Sequence, residues 1–153
     1  MRISDGIIPV SEINEQEWLA LALTLWPDAN ECDLMKERNE GHLKNEFLYY
    51  LNNKAVAFIS LSLRHDYVEG TDSSPVGYIE GIFVEQNYRR NGIAKELVDF
   101  AKNWSVANGC VELASDCLLE NEDSRIFHNR IGFREANTIV CFTMDLSDKP
   151  ELS

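Results

Sequence analysis

The 153-residue sequence predicts an α/β fold, a mixed and mostly antiparallel central sheet flanked by helices. Three observations carry this. Two apolar segments flank Asn52-Asn53, a pair suited to a tight hairpin turn. A third apolar run, Val76 to Val84, enters a short turn that gives way to an amphipathic stretch beginning at Ile93. Beyond that stretch the pattern alternates strand, helix and strand to the end of the chain.

Taken in order, Ser11 precedes residues 13–23, where acidic residues come early and apolar spacing follows. This predicts a first helix stopped near Trp26-Pro27. A second helix is expected from Asp33 to about Asn45. Residues 47–51 and 55–64 read as strands, with Ala55, Ala57, Ile59, Leu61 and Leu63 on one face of the second. The polar segment 65–75 is a long loop before the strand Val76–Val84. Residues 93–107 place Ala94, Leu97, Val98, Ala101 and Trp104 on one side of a helix that Gly109 ends. Residues 110–115 are an expected strand, 121–131 a helix and 139–146 a final strand. Residues 1–146 therefore read as one domain and 147–153 as a frayed tail.

Composition narrows the function. Twenty-six acidic against 14 basic residues give a net charge of −12, which argues against a nucleic-acid partner. The same field steers a polycationic substrate toward the protein. No apolar run reaches the length of a membrane span, and the first residues lack the apolar segment of a signal peptide. Cys32, Cys110, Cys117 and Cys141 form no CxxC pair and have no His at ligand spacing, so reduced thiols in a cytoplasmic protein are expected, with no metal.

The densest chemistry lies between Glu80 and Lys95. Arg89-x-x-Gly92-x-Ala94 places small residues where the helix begins, letting a ligand approach its free N–H groups. The helix dipole adds partial positive charge, and Arg89 and Arg90 add more. Such a turn, with Asn91 and Ile93 completing it, can cradle a pyrophosphate. It lacks the Lys-Ser/Thr pair of a Walker loop and the three glycines of a dinucleotide fingerprint.

The loop resembles the Arg/Gln-x-x-Gly-x-Gly/Ala signature of the GNAT N-acetyltransferase superfamily, whose members hold the pyrophosphate of acetyl-CoA this way. Further segments narrow the likeness: Arg64-His65-Asp66-Tyr67-Val68, Asp72-Ser73-Ser74-Pro75, Ala114-Ser115-Asp116, Glu120-Asn121, Ile131-Gly132-Phe133 and Leu25-Trp26-Pro27. Together they resemble the bacterial aminoglycoside 6′-N-acetyltransferases over nearly the whole chain. The resemblance implies acetyl transfer from acetyl-CoA to the 6′-amine of a drug, antibiotic resistance, and a homodimer. It implies that Trp26, Tyr67, Glu80 and Asp116 line the drug site. It also implies that Ile82, Phe83 and Val84 lie along the pantetheine arm, with Gly81 marking a bulge that splays the sheet there. Asn121 matches an asparagine set on the cofactor at the start of the last helix; a plain helix cap explains it equally well. Many relatives carry a Tyr at the position of His128 to protonate the leaving thiolate. An acidic drug contact of some related enzymes falls here at or beside Asn137.

The residues support that chemistry independently. A thioester is attacked by a neutral amine, whereas primary amines are mostly protonated at neutral pH. Glu80 and Asp116 fall near the carboxyl ends of adjacent strands, where they can orient an amine and take its proton. Three other readings remain open at this point: a transferase for another polyamine or protein amine, a non-catalytic acyl-CoA-binding protein, and a cysteine hydrolase. No nucleophile-elbow pattern surrounds any Cys.

Overall fold

The alternation of apolar and polar residues from 46 to 84 is realised as an antiparallel meander. The computed structural model describes residues 3–40 and 45–147. Among these, five strands join in the order β1 (Gly6–Pro9), β2 (Glu46–Leu51), β3 (Lys54–Arg64), β4 (Val76–Val84) and β5 (Leu113–Ser115). All neighbours are antiparallel except β4 and β5. Asn52 and Asn53, both with positive φ (+52° and +66°), close the β2–β3 hairpin, the conformation its tight turn requires.

Helices cover the two faces. α1 (Glu15–Leu25) and α2 (Glu31–Asn39) lie on one side, where Trp18, Leu48, Tyr50 and Phe58 are fully buried. α3 (Ile93–Ala107) packs on the other, over Val56, Ile59, Leu61 and Ile79. Phe127 of α4 (Glu122–Arg130) and Phe133 after it pack against this second layer. A built Cβ on Gly77 would come within 2.0 Å of Ser105 Oγ, so β4 and α3 meet at glycine distance.

Several expectations need correction. β1 was not foreseen, because four residues ending in Pro9 are too short to display a period. α1 starts at Glu15, two residues into the expected stretch, and ends at Leu25, at the expected Trp26-Pro27 stop. α2 starts at Glu31, where Asn30 accepts from the N–H groups of Cys32 and Asp33, and it ends at Asn39; residues 41–44 of the expected helix lie outside the described residues. Ala55 does not share a face with Ala57: a bulge at Tyr49/Tyr50 turns it into the α1 layer. β5 begins only at Leu113, because Cys110 N–H donates to Ser105 O at 2.9 Å and so completes the α3 terminus. The expected strand 139–146 is not a strand in this chain. Its residues take no regular structure, with Val140, Phe142, Met144 and Leu146 exposed, and a strand without a neighbour cannot form a ladder. Ser147 apart, the expected tail lies outside the described residues.

What positions the site is the length of β5. The parallel ladder stops at Ile79↔Ser115. From Gly81 to Val84, β4 is paired with β3 on one edge and, among the described residues, has no ladder partner on the other. A register shift at Ser60/Leu61, opposite Glu80, adds a bulge at the same point. The bulge foreseen at Gly81 thus belongs to the β3–β4 pair.

Candidate active site

The bulge decides where side chains point. Along β4, Tyr78 and Glu80 lie on the α1 side, and the extra residue keeps Gly81 on that side too. A Cβ on Gly81 would lie 2.6 Å from Trp26 Cζ2, so the glycine lets Trp26 rest on the strand. Trp26 also meets Phe58 edge-on at 5.7 Å between centroids. It is half-buried and packs against the core.

Glu80 is heavily partnered. Arg64 Nε donates to its Oε2 at 3.0 Å, and Nη2 reaches Oε1 at 2.8 Å and Oε2 at 2.9 Å. Ser62 Oγ donates to Oε2 at 2.5 Å. The Arg64 guanidinium stacks 3.5 Å from the Tyr78 ring centroid. Tyr78 in turn donates its hydroxyl to Asp116 Oδ2. One continuous chain of contacts therefore links the two expected carboxylates. Burial first, and the Asp116 contact next, raise the Tyr78 hydroxyl well above its usual range. Asp116 itself is exposed, just past the end of β5.

Behind this face, Glu46 is almost fully buried. Trp18 Nε1 donates to its Oε1 at 2.9 Å, and Ser60 pairs with its other oxygen. Burial outweighs both hydrogen bonds and pushes the carboxyl up to about 7. Tyr67 is 75% exposed on the loop after β3, its hydroxyl accepting from Gly70 N–H at 3.3 Å. An open depression lined by Leu63, Arg64, His65, Asp66 and Tyr67 continues from the Arg64 guanidinium.

At the far end of β4 lies the turn expected to cradle an anion. A 3-10 turn, Gln86–Tyr88, is followed by Arg90 and Gly92 with φ of +68° and +79°, and α3 starts at Ile93. Arg89 donates from Nε to Val84 O at 2.8 Å, and Asn91 Nδ2 donates to Tyr88 O at 3.2 Å, so both brace the turn. Arg90 is exposed, and Ile93 is buried beneath the helix start, with Ala94 partly buried behind it. No side chain caps α3, and a Cβ on Gly92 would meet nothing within 4 Å. Open space in front of uncapped N–H groups is what a phosphate needs. A pyrophosphate at residues 89–94 and an extended arm along the free edge of Ile82, Phe83 and Val84 both fit.

Three residues are differently engaged. Asn121 Oδ1 accepts from Ser124 N–H at 3.1 Å as the α4 cap, so a cofactor contact would fall to its Nδ2 group. His128 Nδ1 faces Ser124 O at 2.7 Å and is therefore its donor in the neutral ring. Nε2 then accepts from Ser115 Oγ at 2.9 Å. Asn137 donates to Glu69 Oε2 at 3.1 Å.

Comparison with known proteins fits this geometry. Residues 9–133 match the model of the acetyltransferase (GNAT) family. The chain belongs to that family. As in its sequence pattern, the GNAT chain is similar to an aminoglycoside N(6′)-acetyltransferase type 1 of Acinetobacter baumannii, 38% identical over 92% of this chain and 99% of the relative. A type 1 enzyme of Acinetobacter genomosp. 13 is 40% identical over 90% and 96%. Among solved structures, AAC(6′)-Iy in complex with a bisubstrate analogue, CoA-S-monomethyl-acetylneamine, superposes with a TM-score of 0.87. It is 31% identical, over 94% of this chain and 99% of that one. The GNAT match ends at Phe133, before the exposed segment 139–146.

Sequence reasoning missed Arg64 and Tyr78 as site residues. Tyr78 stands two residues before Glu80, the spacing that puts both on one face of a strand. Arg64 opened a motif already singled out, but no local pattern says that its side chain runs back along the sheet to Glu80.

Proposed function

We propose that the protein is an aminoglycoside 6′-N-acetyltransferase, moving acetyl directly from acetyl-CoA to the 6′-amine of the drug and thereby conferring resistance. One observation carries the reading: Glu80 and Asp116 share a face beside the free edge of β4, and that edge leads straight to the uncapped start of α3. Bound acetyl-CoA would supply the activated thioester. Residues 89–94 hold its pyrophosphate, and the edge of Ile82, Phe83 and Val84 aligns its arm.

Trp26 and Tyr67 wall the drug site, Glu80 orients the amine, and Asp116 accepts the proton released as the N–C bond forms and the C–S bond breaks. Asp116 suits that task because it is exposed and spends one oxygen on Tyr78. The proton can pass to it directly or through water. No separate general acid is needed, since a coenzyme A thiolate is a good leaving group. His128 is committed to Ser124 and Ser115.

The test is product analysis by mass spectrometry and NMR with kanamycin, run beside spermidine and a lysine peptide. Transfer to the 6′-amine is expected, with little turnover of an analogue bearing a 6′-hydroxyl. Acetylation at another amine, or turnover of spermidine or peptide alone, overturns the assignment. We further infer a homodimer in the cytoplasm. Val140, Phe142, Met144 and Leu146 alternate in sequence along an exposed segment, and β5 has no partner on its outer edge among the described residues. A second copy would cover both. A monomeric mass by light scattering would refute the dimer. No helix among the described residues is long and apolar enough to cross a membrane.

A further inference from the structure

We propose that Arg64 is a positioning residue that balances the charge of Glu80, so that the site holds the acceptor amine in its neutral, nucleophilic form. The inference rests on the reading above that Glu80 faces that amine.

A cation in this place demands a reason. The protein carries a net charge of −12 and the proposed substrate is a polycation, so an arginine beside the drug site weakens the attraction. Yet Arg64 is held there from two sides, forked on Glu80 and stacked on Tyr78. An unpaired carboxylate within a few ångströms of an amine favours the charged ammonium by about 1–3 pH units. An ammonium has no lone pair with which to attack. Paired with the guanidinium, Glu80 exerts far less of that bias, while Oε1 can still accept an N–H of the neutral amine. Asp116, which holds Tyr78 and feels Arg64 only through space with no hydrogen bond to it, is left to take the proton.

Other groups face the same spot. β2 brings buried Glu46 behind Ser60, with Arg38 of α2 acting on it; β3 brings Ser62 and Arg64, and β4 brings Tyr78. Asp116 follows β5, the loop adds His65, Asp66 and Tyr67, and α1 contributes Trp18, through Glu46, and Leu25, with Trp26 just after it. Glu46 titrates near neutrality, so the comparison is repeated in an E46Q background.

The experiment is the pH profile of kcat at saturating kanamycin for the wild type, Arg64→Met, Arg64→Lys and Glu80→Gln. Met keeps an aliphatic stem over Tyr78 without the charge, and Lys keeps the charge without the fork. Arg64→Met should move the acid limb of kcat up by about one pH unit, lowering kcat near pH 7 about tenfold, while KM stays level or falls. Arg64→Lys should leave the limb near its wild-type position. A raised KM with an unmoved limb in Arg64→Met reduces Arg64 to a structural tie and overturns the proposal. Wild-type kcat and KM in Glu80→Gln would remove Glu80 from the amine, overturning the site reading and this inference together. Glu80→Gln impaired with Arg64→Met unmoved sinks the inference alone.

Discussion

Asp116 and Glu80 differ in what surrounds them, and the proposed division of their work follows from that difference. Glu80 receives Ser62 and a forked Arg64, whereas Asp116 is exposed and receives Tyr78. Asp116→Asn keeps the shape and loses the proton acceptor, so kcat at neutral pH should fall about 100-fold and recover partly as pH rises. Steady-state kinetics across pH checks this; a change confined to KM would make Asp116 a binding group only. At the cofactor end, Gly92 has φ +79° with open space before it. Gly92→Val would fill that space and strain the backbone, so acetyl-CoA should bind about tenfold more weakly, a loss of about 1.4 kcal/mol. Calorimetry on folded variant protein measures it, and unchanged affinity would remove the pyrophosphate from this turn.

Between elements, the tightest approach is that of α3 to β4. A Cβ on Gly77 would lie 2.0 Å from Ser105 Oγ and 2.7 Å from Ser105 Cβ. Gly77→Ala should therefore cost about 1–3 kcal/mol of stability by overpacking. Adding Ser105→Gly removes both clashing atoms and should restore part of that loss beyond additivity. Denaturant melts of the two single variants and the double variant close the cycle. The same contact explains why β4 and α3 keep a fixed relation from the carboxylates to the anion cradle.

Across the whole molecule, Glu46 ties stability to pH. Its carboxyl stands at about 7 in the fold against 4.5 as an ordinary carboxylate, because burial disfavours the charged form. A raised value means that the folded state holds the proton more tightly. The stabilisation is complete below about pH 4.5 and is lost as pH climbs through about 7, amounting to something on the order of 3 kcal/mol. Glu46→Gln should flatten that decline between pH 5 and pH 8 in thermal melts; an unaltered slope would place the titration elsewhere. The net charge of −12 acts over the same scale. Salt screens it within about 10 Å, leaving close contacts such as Glu80 with Arg64 less affected.

The sequence by itself determined the β4–turn–α3 unit, the hairpin at Asn52-Asn53 and the carboxylates worth examining. Each is written in neighbouring residues: alternation, a glycine at a helix start, a motif of five or six letters. Val76–Val84 and Ile93–Ala107 lie where their periods place them. Only the tertiary structure decided that Arg64 reaches Glu80, that Tyr78 joins it to Asp116, that Glu46 is sealed against Trp18, and that β5 waits until Leu113. It also left residues 139–146 outside the sheet despite their strand pattern. Periodicity tells which face a residue takes, but partners sixteen to thirty-eight positions apart in sequence, as in Arg64–Glu80 and Tyr78–Asp116, are brought together by strand register and a bulge. A ladder, likewise, exists only where a second backbone is present to accept its hydrogen bonds.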